Sequence, residues 1–453
     1  MTATDRWITV MMFAAMAALG GVSLVLAPSA ILGIAIVPMV IAAVWLFLAA
    51  ARGSPIATMI IVFAAVFLID ANFRDRDYAD KAVDFQVLIK IGLWLTLACI
   101  ALIHWPRWMA RMMTPTNLIS LTFLAWLLFT ANASPLPAYS AVAAFSIIAY
   151  VLFSAFLFSS FDRAEIFAVT VLAITLFCLV SIAIYFAVPE FGRFVYWLND
   201  QRYVSSRMAG IAGSANNMGR IAAFGLVLII LYVRDFRRFH PFFSLVSAAI
   251  LSVSLLMTNS RTSIAMVLGF WAAEALLRWR RLYLLIFVLS AGFLTAMLIL
   301  PAGDQALILI SRSGDPEEIT SMTGRSSIWS AVPKLIEGRS WTGFGYASSI
   351  IVLPQHEREV GFRTTHAHNI ILQLLLTTGW IGVGLFCLSM LSVGLRAAFF
   401  ADRTVLILLA YVLINGITES SAFGTVANIC SLAFAIAVTL PPEWNDDENN
   451  YSY

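Results

Sequence analysis

Three polar clusters interrupt an otherwise apolar chain, and the first combines arginines with small residues and amides. It holds Arg207, Gly210 and Gly213, followed by Asn217 and Arg220 at the start of an apolar run. Guanidinium groups and the exposed N–H groups of a helix start suit the binding of an anion. The alternative is that the arginines lie among lipid headgroups and that the glycines only make turns.

The second cluster is the hexapeptide Thr-Asn-Ser-Arg-Thr-Ser at 258–263, which joins two apolar runs. Its arginine, Arg261, is a second candidate for binding a phosphate group, because a guanidinium can bond two phosphate oxygens at once. The alternative is that Arg261 only snorkels to the headgroup region of a membrane.

The third cluster contains His356, His366 and His368 and ends at Asn369, directly before an apolar run. A histidine titrates near neutral pH and can act as general base on a hydroxyl group. Two alternatives stay open: the segment caps a helix through Thr365 or Asn369, or His366 and His368 form a metal pair. The metal signal is weak, because neither an HExxH motif nor a cysteine cluster accompanies it.

An acidic segment is the fourth feature. Asp75 and Asp77 are flanked by Asp70, Asp80 and Asp84. Paired carboxylates could hold a divalent ion that bridges a pyrophosphate. The triplet is common in sequences, however, so we favour a solvated loop and predict no metal site.

Composition shows what surrounds these clusters. Of 453 residues, 61% are hydrophobic and 12% are charged, with a mean hydropathy of +0.89. A soluble globular domain carries about 25% charged residues, so a soluble enzyme is excluded. The four cysteines lie in apolar runs and support neither a disulfide framework nor a cysteine metal site. The sequence predicts an all-α polytopic membrane protein.

Fourteen apolar runs are candidates for transmembrane helices. Because a span needs about 20 residues and several runs are shorter, we expect 12 to 14 helices. The first run is read as a helix and not as a cleaved signal peptide. The runs are 8–26, 31–51, 55–69, 85–103, 118–133, 139–159, 166–188, 218–233, 242–257, 264–277, 282–300, 370–391, 404–417 and 422–440.

The arginines predict the orientation. Alternate connections carry most of them, which places those connections in the cytoplasm together with both termini. On the opposite short connections Arg261 is the lone basic residue. The large loop 301–369, between the eleventh and twelfth helices, then faces the outside, and Ile328, Trp329 and Val332 within it have helical spacing. We expect that helix to lie along the interface, with Trp329 at headgroup depth and a break near Pro333.

The clusters, in this order, resemble the bacterial O-antigen ligase and polymerase superfamily, and most of all the ExoQ-type exopolysaccharide polymerase proteins. Further motifs that carry the resemblance are Thr323-Gly324-Arg325 with Ile328-Trp329, Gly343-Phe344-Gly345, and Gly379-Trp380-Ile381-Gly382 after His368-Asn369. The resemblance covers about 202–394. It divides the chain into N-terminal helices (1–188), a catalytic region (189–440, including the loop 301–369) and an acidic cytoplasmic tail (441–453).

The resemblance implies a GT-C-like fold and an inverting, metal-independent glycosyltransferase without a cofactor. This enzyme would act at the periplasmic face of the bacterial inner membrane on a glycan linked to undecaprenyl pyrophosphate. Arg207 and Arg261 would bind the pyrophosphate, and His368 would be the essential histidine. Asn217, Arg220, His366 and Asn369 complete the expected substrate-binding set, together with Arg325 and Trp329 on the acceptor side. For Arg325 and Trp329 another role is equally open: Arg325 pairs or caps within the loop, and Trp329 anchors the loop to the membrane.

Three functions compete. A polymerase joins lipid-linked repeat units of exopolysaccharide or O-antigen, and this is the preferred prediction. A ligase moves finished glycan to lipid A core, and the two differ only in the acceptor. A lipid-linked glycan flippase or transporter would place charge near the bilayer midplane, whereas polar residues here gather at one face. The expected partners are the lipid-linked donor, a glycan or lipid acceptor, membrane lipids and other polysaccharide-assembly proteins. No nucleic acid is expected.

Overall fold

The computed structural model describes residues 28–74, 84–198, 201–236, 242–278, 325–361, 364–420 and 422–442. The predicted first and eleventh spans, Asp75 and Asp77, the loop residues 301–324 with Thr323-Gly324, and nearly all of the acidic tail lie outside the described residues. The other twelve candidate spans all correspond to helices.

The described chain is built almost entirely of helices, with one two-stranded hairpin. Two short 3₁₀ turns lie at Ala131–Ala133 and Gly210–Ala212. In chain order the elements are α1 (Pro28–Ala51), α2 (Pro55–Ile69), α3 (Phe85–Ile103), α4 (Trp105–Met112), α5 (Pro115–Thr130), α6 (Pro137–Ser160), α7 (Arg163–Ala187), α8 (Pro189–Gly192), β1 (Arg193–Leu198), β2 (Gln201–Met208), α9 (Ala215–Phe236), α10 (Phe243–Thr258), α11 (Arg261–Arg278), α12 (Arg325–Leu335), α13 (Ser349–Gln355), α14 (Glu357–Val360), α15 (Ile370–Phe399), α16 (Arg403–Thr418) and α17 (Ile429–Thr439).

Length and composition confirm an all-α polytopic membrane protein. Within the described ranges, six helices are long and apolar enough to cross a membrane, and shorter apolar helices pack among them. The hairpin β1–β2 is the departure from this pattern, because it lies between the predicted runs 166–188 and 218–233, where the sequence predicted no helix or strand. Its strands pair antiparallel, with Arg193 opposite Met208. The hairpin sequence alternates aromatic and β-branched residues such as Phe194, Tyr196 and Val204, and this pattern is typical of β-strands.

The two ends of the helical bundle differ in their polar residues. At one end, which we call the site end, α2 stops at Ile69 and α9, α11 and α17 begin. At the opposite end, arginines bind the last carbonyl groups of neighbouring helices. Arg111 donates to the Phe158 carbonyl at 3.1 Å, and Arg396 donates to the Ala437 carbonyl at 2.8 Å. Cations at helix C-termini bond free carbonyl groups and are stabilised by the negative end of the helix dipole.

α15 is broken at Gly379, and the loop between α12 and α13 forms hydrogen bonds with the break. Gly379 has φ 68°, and the carbonyl of Leu376 just before it accepts the N–H of Phe344 at 2.9 Å. Beyond the break, the N–H of Trp380 donates to the Ser340 carbonyl at 2.8 Å. Backbone groups freed inside an apolar bundle need partners, and the loop supplies them. The Gly379-to-Gly382 and Gly343-to-Gly345 motifs therefore form one interlocked structure.

The last predicted span is shorter than expected, because residues 422–428 are not helical. Side chains and neighbouring segments satisfy this stretch: Tyr346 Oη donates to the Thr425 carbonyl at 2.6 Å, and the N–H of Ala427 donates to Ser146 Oγ at 2.8 Å. Asn428 then caps α17 by accepting the N–H groups of Cys430 and Ser431. Hydropathy cannot distinguish such a buried non-helical segment from a helix.

Candidate functional site

The histidine segment leads directly into α15. Asn369 is the N-cap, as one of the alternatives expected, and its Oδ1 accepts the N–H groups of Ile371 and Leu372. One residue earlier, His368 has φ 49°, which is uncommon for a residue other than glycine. Such a conformation persists only where the neighbours fix it. The cap at Asn369 fixes one side.

Ala367 fixes the other side. Its N–H donates to Oε1 of Gln373 at 3.0 Å, and its carbonyl accepts Nε1 of Trp329 at 3.1 Å. Trp329 lies on α12, whose Ile328 and Val332 are buried. The loop helix was predicted from this spacing, and it holds the histidine segment in place. Pro333 lies inside α12, which ends two residues later.

Glu419 lies at the centre of the site, at the C-terminus of α16. Its Oε2 is 2.9 Å from Nδ1 of His368, and its Oε1 accepts Nη2 of Arg325 at 2.8 Å and Nδ2 of Asn216 at 2.9 Å. One carboxylate therefore joins α9, α12 and the histidine segment. Sequence reasoning missed Glu419, since a single acidic residue on a short connection has no motif.

The charge state of Glu419 follows from these contacts. Burial raises the pKa of this carboxyl, but the hydrogen bond from His368 and the charges of His368, Arg220 and Arg325 outweigh burial and hold the pKa well below its usual range. Glu419 is thus an anion at neutral pH. A carboxylate can only accept, so Nδ1 of His368 carries the proton towards it.

Arg207 is fixed by two hydrogen bonds. Its Nε donates to the Thr258 carbonyl at 2.9 Å, and its Nη2 donates to Oδ1 of Asn216 at 2.8 Å. Since Asn216 also bonds Glu419, Arg207 and His368 belong to one network. Arg207 additionally lies over the ring of Phe194 in the hairpin, 5.5 Å from its centroid. The structure therefore brings the first and third sequence clusters together.

The second cluster packs at the same end. Arg261 is the first residue of α11 and follows Thr258, the partner of Arg207, by three positions. The turn between them lies close to α9: a Cβ placed on Gly219 would be 2.6 Å from Cβ of Ser260. A glycine is needed there for this close approach. All three sequence clusters thus converge at the site end.

Arg220 and Asn217 form a second branch. Nη2 of Arg220 donates to Oδ1 of Asn217 at 3.0 Å, and Tyr411 Oη donates to the Arg220 carbonyl at 2.9 Å. Nδ2 of Asn217 reaches Oδ1 of Asp70 at 3.1 Å. Asp70 was predicted to lie in a solvated acidic loop; instead it is bonded to the site.

His366 differs from His368. Burial and the charges of His368 and Arg220 lower its pKa to about 4, against an opposing effect of Glu419. His366 is therefore neutral at physiological pH. Its ring lies perpendicular to that of His368, with centroids 6.4 Å apart. Within the described ranges, no group of three or more His, Cys, Asp or Glu side chains could hold a metal ion.

Comparison with known proteins concerns the family that the chain resembles. Residues 246–387 match the family described as O-Antigen ligase (Wzy_C). An alignment of 221 residues shows 26% identity to the "General O-oligosaccharyltransferase" of Acinetobacter baylyi and covers 44% of this chain and 38% of that protein. The chain thus matches well under half the length of this relative. The matches confirm the resemblance to the O-antigen ligase and polymerase superfamily that the motifs predicted.

Proposed function

Because residues 246–387 match the O-antigen ligase family, we propose that this membrane protein transfers a glycan from undecaprenyl pyrophosphate to a sugar hydroxyl on the periplasmic side of the bacterial inner membrane. We further propose that it polymerises repeat units of exopolysaccharide or O-antigen. The observation that carries the proposal is the hydrogen-bonded network through Glu419. It joins His368, a candidate base, to Arg207, a candidate phosphate ligand.

His368 is proposed as the general base. With the Nδ1 proton directed at Glu419, Nε2 is the nitrogen that has a lone pair for the acceptor hydroxyl. A carboxylate behind an imidazole fixes its tautomer and stabilises the imidazolium that forms on proton transfer. In the reaction the hydroxyl proton passes to Nε2 while the hydroxyl oxygen bonds the anomeric carbon of the donor glycan.

The arginines are proposed to stabilise the leaving group. As the bond from the anomeric carbon to the phosphate oxygen breaks, negative charge grows on the pyrophosphate. Fixed cations that meet this charge stabilise the transition state without reorganising. Arg207, Arg261 and Arg220 lie at the site end for this role, and displacement from the opposite face inverts the anomeric centre. The pyrophosphate is already a good leaving group, so we propose that no metal is required.

Arg325 and Trp329 are proposed to form the acceptor side together with α12. Arg325 bonds Glu419, and Trp329 bonds the Ala367 carbonyl next to His368. These contacts favour a role in fixing the base and the segment that carries it. Asn369 and His366 are proposed to line the donor site beside His368.

The test is glycan transfer by the purified protein in detergent, with undecaprenyl-pyrophosphate repeat units as donor and EDTA present. We expect long lipid-linked products from wild type, and losses of at least about 100-fold for Arg261→Ala and His368→Ala. Matched controls are Arg358→Ala and His356→Ala, which change the same residue types within the loop outside this network.

Three outcomes contradict parts of the proposal. If wild type transfers only when lipid A core is supplied, the protein is a ligase, which the description of the matched family also fits. If EDTA abolishes transfer and a divalent ion restores it, the metal-independent mechanism is wrong. If neither acceptor gives product, the transport hypothesis replaces enzymatic transfer.

A further inference from the structure

Two consecutive asparagines on the first turn of α9 each bridge an arginine and a carboxylate. Asn216 does so towards Glu419. Asn217 accepts Nη2 of Arg220 at 3.0 Å and donates from Nδ2 to Oδ1 of Asp70 at 3.1 Å. The acidic end of the second bridge comes from the end of α2, in the N-terminal part of the chain, outside residues 246–387.

Asp70 is held on both oxygens. Besides Asn217 at Oδ1, it accepts the backbone N–H of Ile429 at Oδ2, at 2.9 Å. The chain just after it is fixed as well, because the N–H of Asn72 donates to the Ile211 carbonyl and the side chain of Gln86 bonds both Asn72 and the Ala71 carbonyl. The Asp70 carboxylate therefore has a defined position between α2, α9 and α17.

This position fixes the polarity of the Asn217 side chain. An amide has a donor end and an acceptor end, whereas a carboxylate only accepts. Nδ2 of Asn217 also has a longer contact with the Ala212 carbonyl, at 3.4 Å. Asp70 provides the shorter bond and the negative charge, so it draws the NH₂ group of Asn217 and leaves the amide oxygen facing Arg220. Without the negative charge, the amide could rotate and present its NH₂ group to the guanidinium, so that two donors would meet. Arg220 would then lose the acceptor that orients it.

In this orientation one N–H group of Arg220 bonds no acceptor among the described residues. In the part of the chain that the structure describes, its Nε is buried and has no hydrogen-bond partner, and the same holds for Nδ1 of His366. Buried polar atoms are nearly always paired, so an unpaired guanidinium N–H within the site indicates a ligand with acceptor oxygens. A phosphate oxygen suits it in charge and geometry.

We propose that Asp70 is a positioning residue for glycan transfer: through Asn217 it orients Arg220 so that its free Nε–H meets an oxygen of the leaving pyrophosphate. The inference deepens the proposed function and rests on it. It also makes the N-terminal helices part of the site, whereas the sequence resemblance covers only the second half of the chain.

The decisive variants are Asp70→Asn and Asn217→Ala, together with the double variant Asp70→Asn/Asn217→Asp. In the double variant the carboxylate moves to position 217, where it faces Arg220, and the amide at position 70 can donate to it and still accept the N–H of Ile429. The matched control is Asp84→Asn. Asp84 caps α3 at the same end by accepting the Val87 N–H at 3.0 Å, and asparagine caps equally well.

Transfer kinetics and inhibition by inorganic pyrophosphate are measured for each variant. We expect Asp70→Asn and Asn217→Ala to reduce kcat/KM for the lipid-linked donor by about 10- to 100-fold and to weaken inhibition by pyrophosphate. The double variant should recover most of both, and Asp84→Asn should match wild type. A merely structural role would lower the fraction of active protein and leave the pyrophosphate inhibition constant unchanged, and that result would overturn the inference. Wild-type kinetics in both single variants would overturn it as well.

A second measurement separates this inference from the proposed function. If wild type transfers no glycan to any acceptor, the proposed function fails, and thermal unfolding with inorganic pyrophosphate then tests Asp70 alone. Stabilisation of wild type and Asp84→Asn, but not of Asp70→Asn, would support the positioning role. Equal stabilisation of all three proteins, or of none, would overturn it.

Discussion

The carboxylate of Glu419 accepts hydrogen bonds from Asn216, Arg325 and His368, which belong to three separate segments of the chain. Each of these donors depends on the negative charge. An amide at the same position could accept from one side only and would place an NH₂ group opposite another donor. The site is therefore sensitive to the charge of this residue.

Glu419→Gln should reduce kcat for transfer by about 10²- to 10⁴-fold, because His368 loses the acceptor that fixes its tautomer and stabilises its protonated form. The measurement is the initial rate at saturating donor, with folded protein quantified by size-exclusion chromatography. Glu357→Gln, an exposed carboxylate on the same loop, is the control. A Glu419→Gln enzyme within threefold of wild type would rule out this role.

His366 predicts a pH dependence of stability. Burial and neighbouring charge lower its pKa to about 4 in the folded protein, whereas an unfolded histidine titrates near 6.5. Between these values the unfolded state binds more protons. The free energy of unfolding is therefore complete above about pH 6.5 and falls as the pH drops towards 4, by about 1–3 kcal/mol. Glu419, whose folded pKa is also lowered, adds its own loss only below about pH 4.5.

The measurement is the thermal unfolding midpoint in detergent between about pH 7 and 5, a range above the titration of ordinary carboxylates. Wild type should lose stability across this range, and His366→Gln should show a flatter profile. His356→Gln, which removes a histidine bonded to the Val352 carbonyl outside the network, should keep the wild-type slope. Parallel profiles for wild type and His366→Gln would contradict the assignment.

The sequence predicted the helices well, because an apolar run bounded by Ser, Asp, Asn or Pro has few alternatives to a helix inside a membrane. Hydropathy could not predict the interruption at Gly379 or the non-helical stretch 422–428. Both depend on hydrogen bonds from residues distant in sequence, such as Phe344 to Leu376 and Tyr346 to Thr425. The site had the same limit: its clusters were visible in the sequence, but the contacts that Glu419 and Asp70 make with them were not.

Gly379→Ala should destabilise the protein strongly, because the break in α15 needs a glycine for two reasons. Its φ is 68°, and an added Cβ would lie 2.2 Å from the carbonyl of Trp341. Positive φ alone costs about 1–3 kcal/mol for other residues, and the clash with backbone adds to it. Gly384 on the same helix has nothing within 4 Å of an added Cβ, so Gly384→Ala should be neutral or stabilise by up to about 1 kcal/mol. The measurement is the thermal unfolding midpoint of Gly379→Ala and Gly384→Ala in detergent. Equal midpoints would contradict the requirement for a glycine at the break in α15.

For the whole molecule, the arginine distribution and the position of the site make one joint prediction. Clusters of arginines lie at the end of the bundle where Arg111 and Arg396 bind helix carbonyls, whereas His368 and Glu419 lie at the other end. Because positive residues are retained in the cytoplasm, the site should face the periplasm. A lipid-linked glycan would then meet the enzyme on the side where cell-surface polysaccharides are assembled.

Single cysteines introduced into a variant without its native cysteines test this orientation. Ser326→Cys lies on α12 at the site end and Arg107→Cys on α4 at the opposite end, and both positions are exposed. A membrane-impermeant maleimide added to intact spheroplasts should label Ser326→Cys, and should label Arg107→Cys only after permeabilisation. The reverse pattern would place His368 in the cytoplasm. Periplasmic transfer would then be wrong even if the purified protein forms glycosidic bonds, because its acceptor would have to come from the cytoplasmic side.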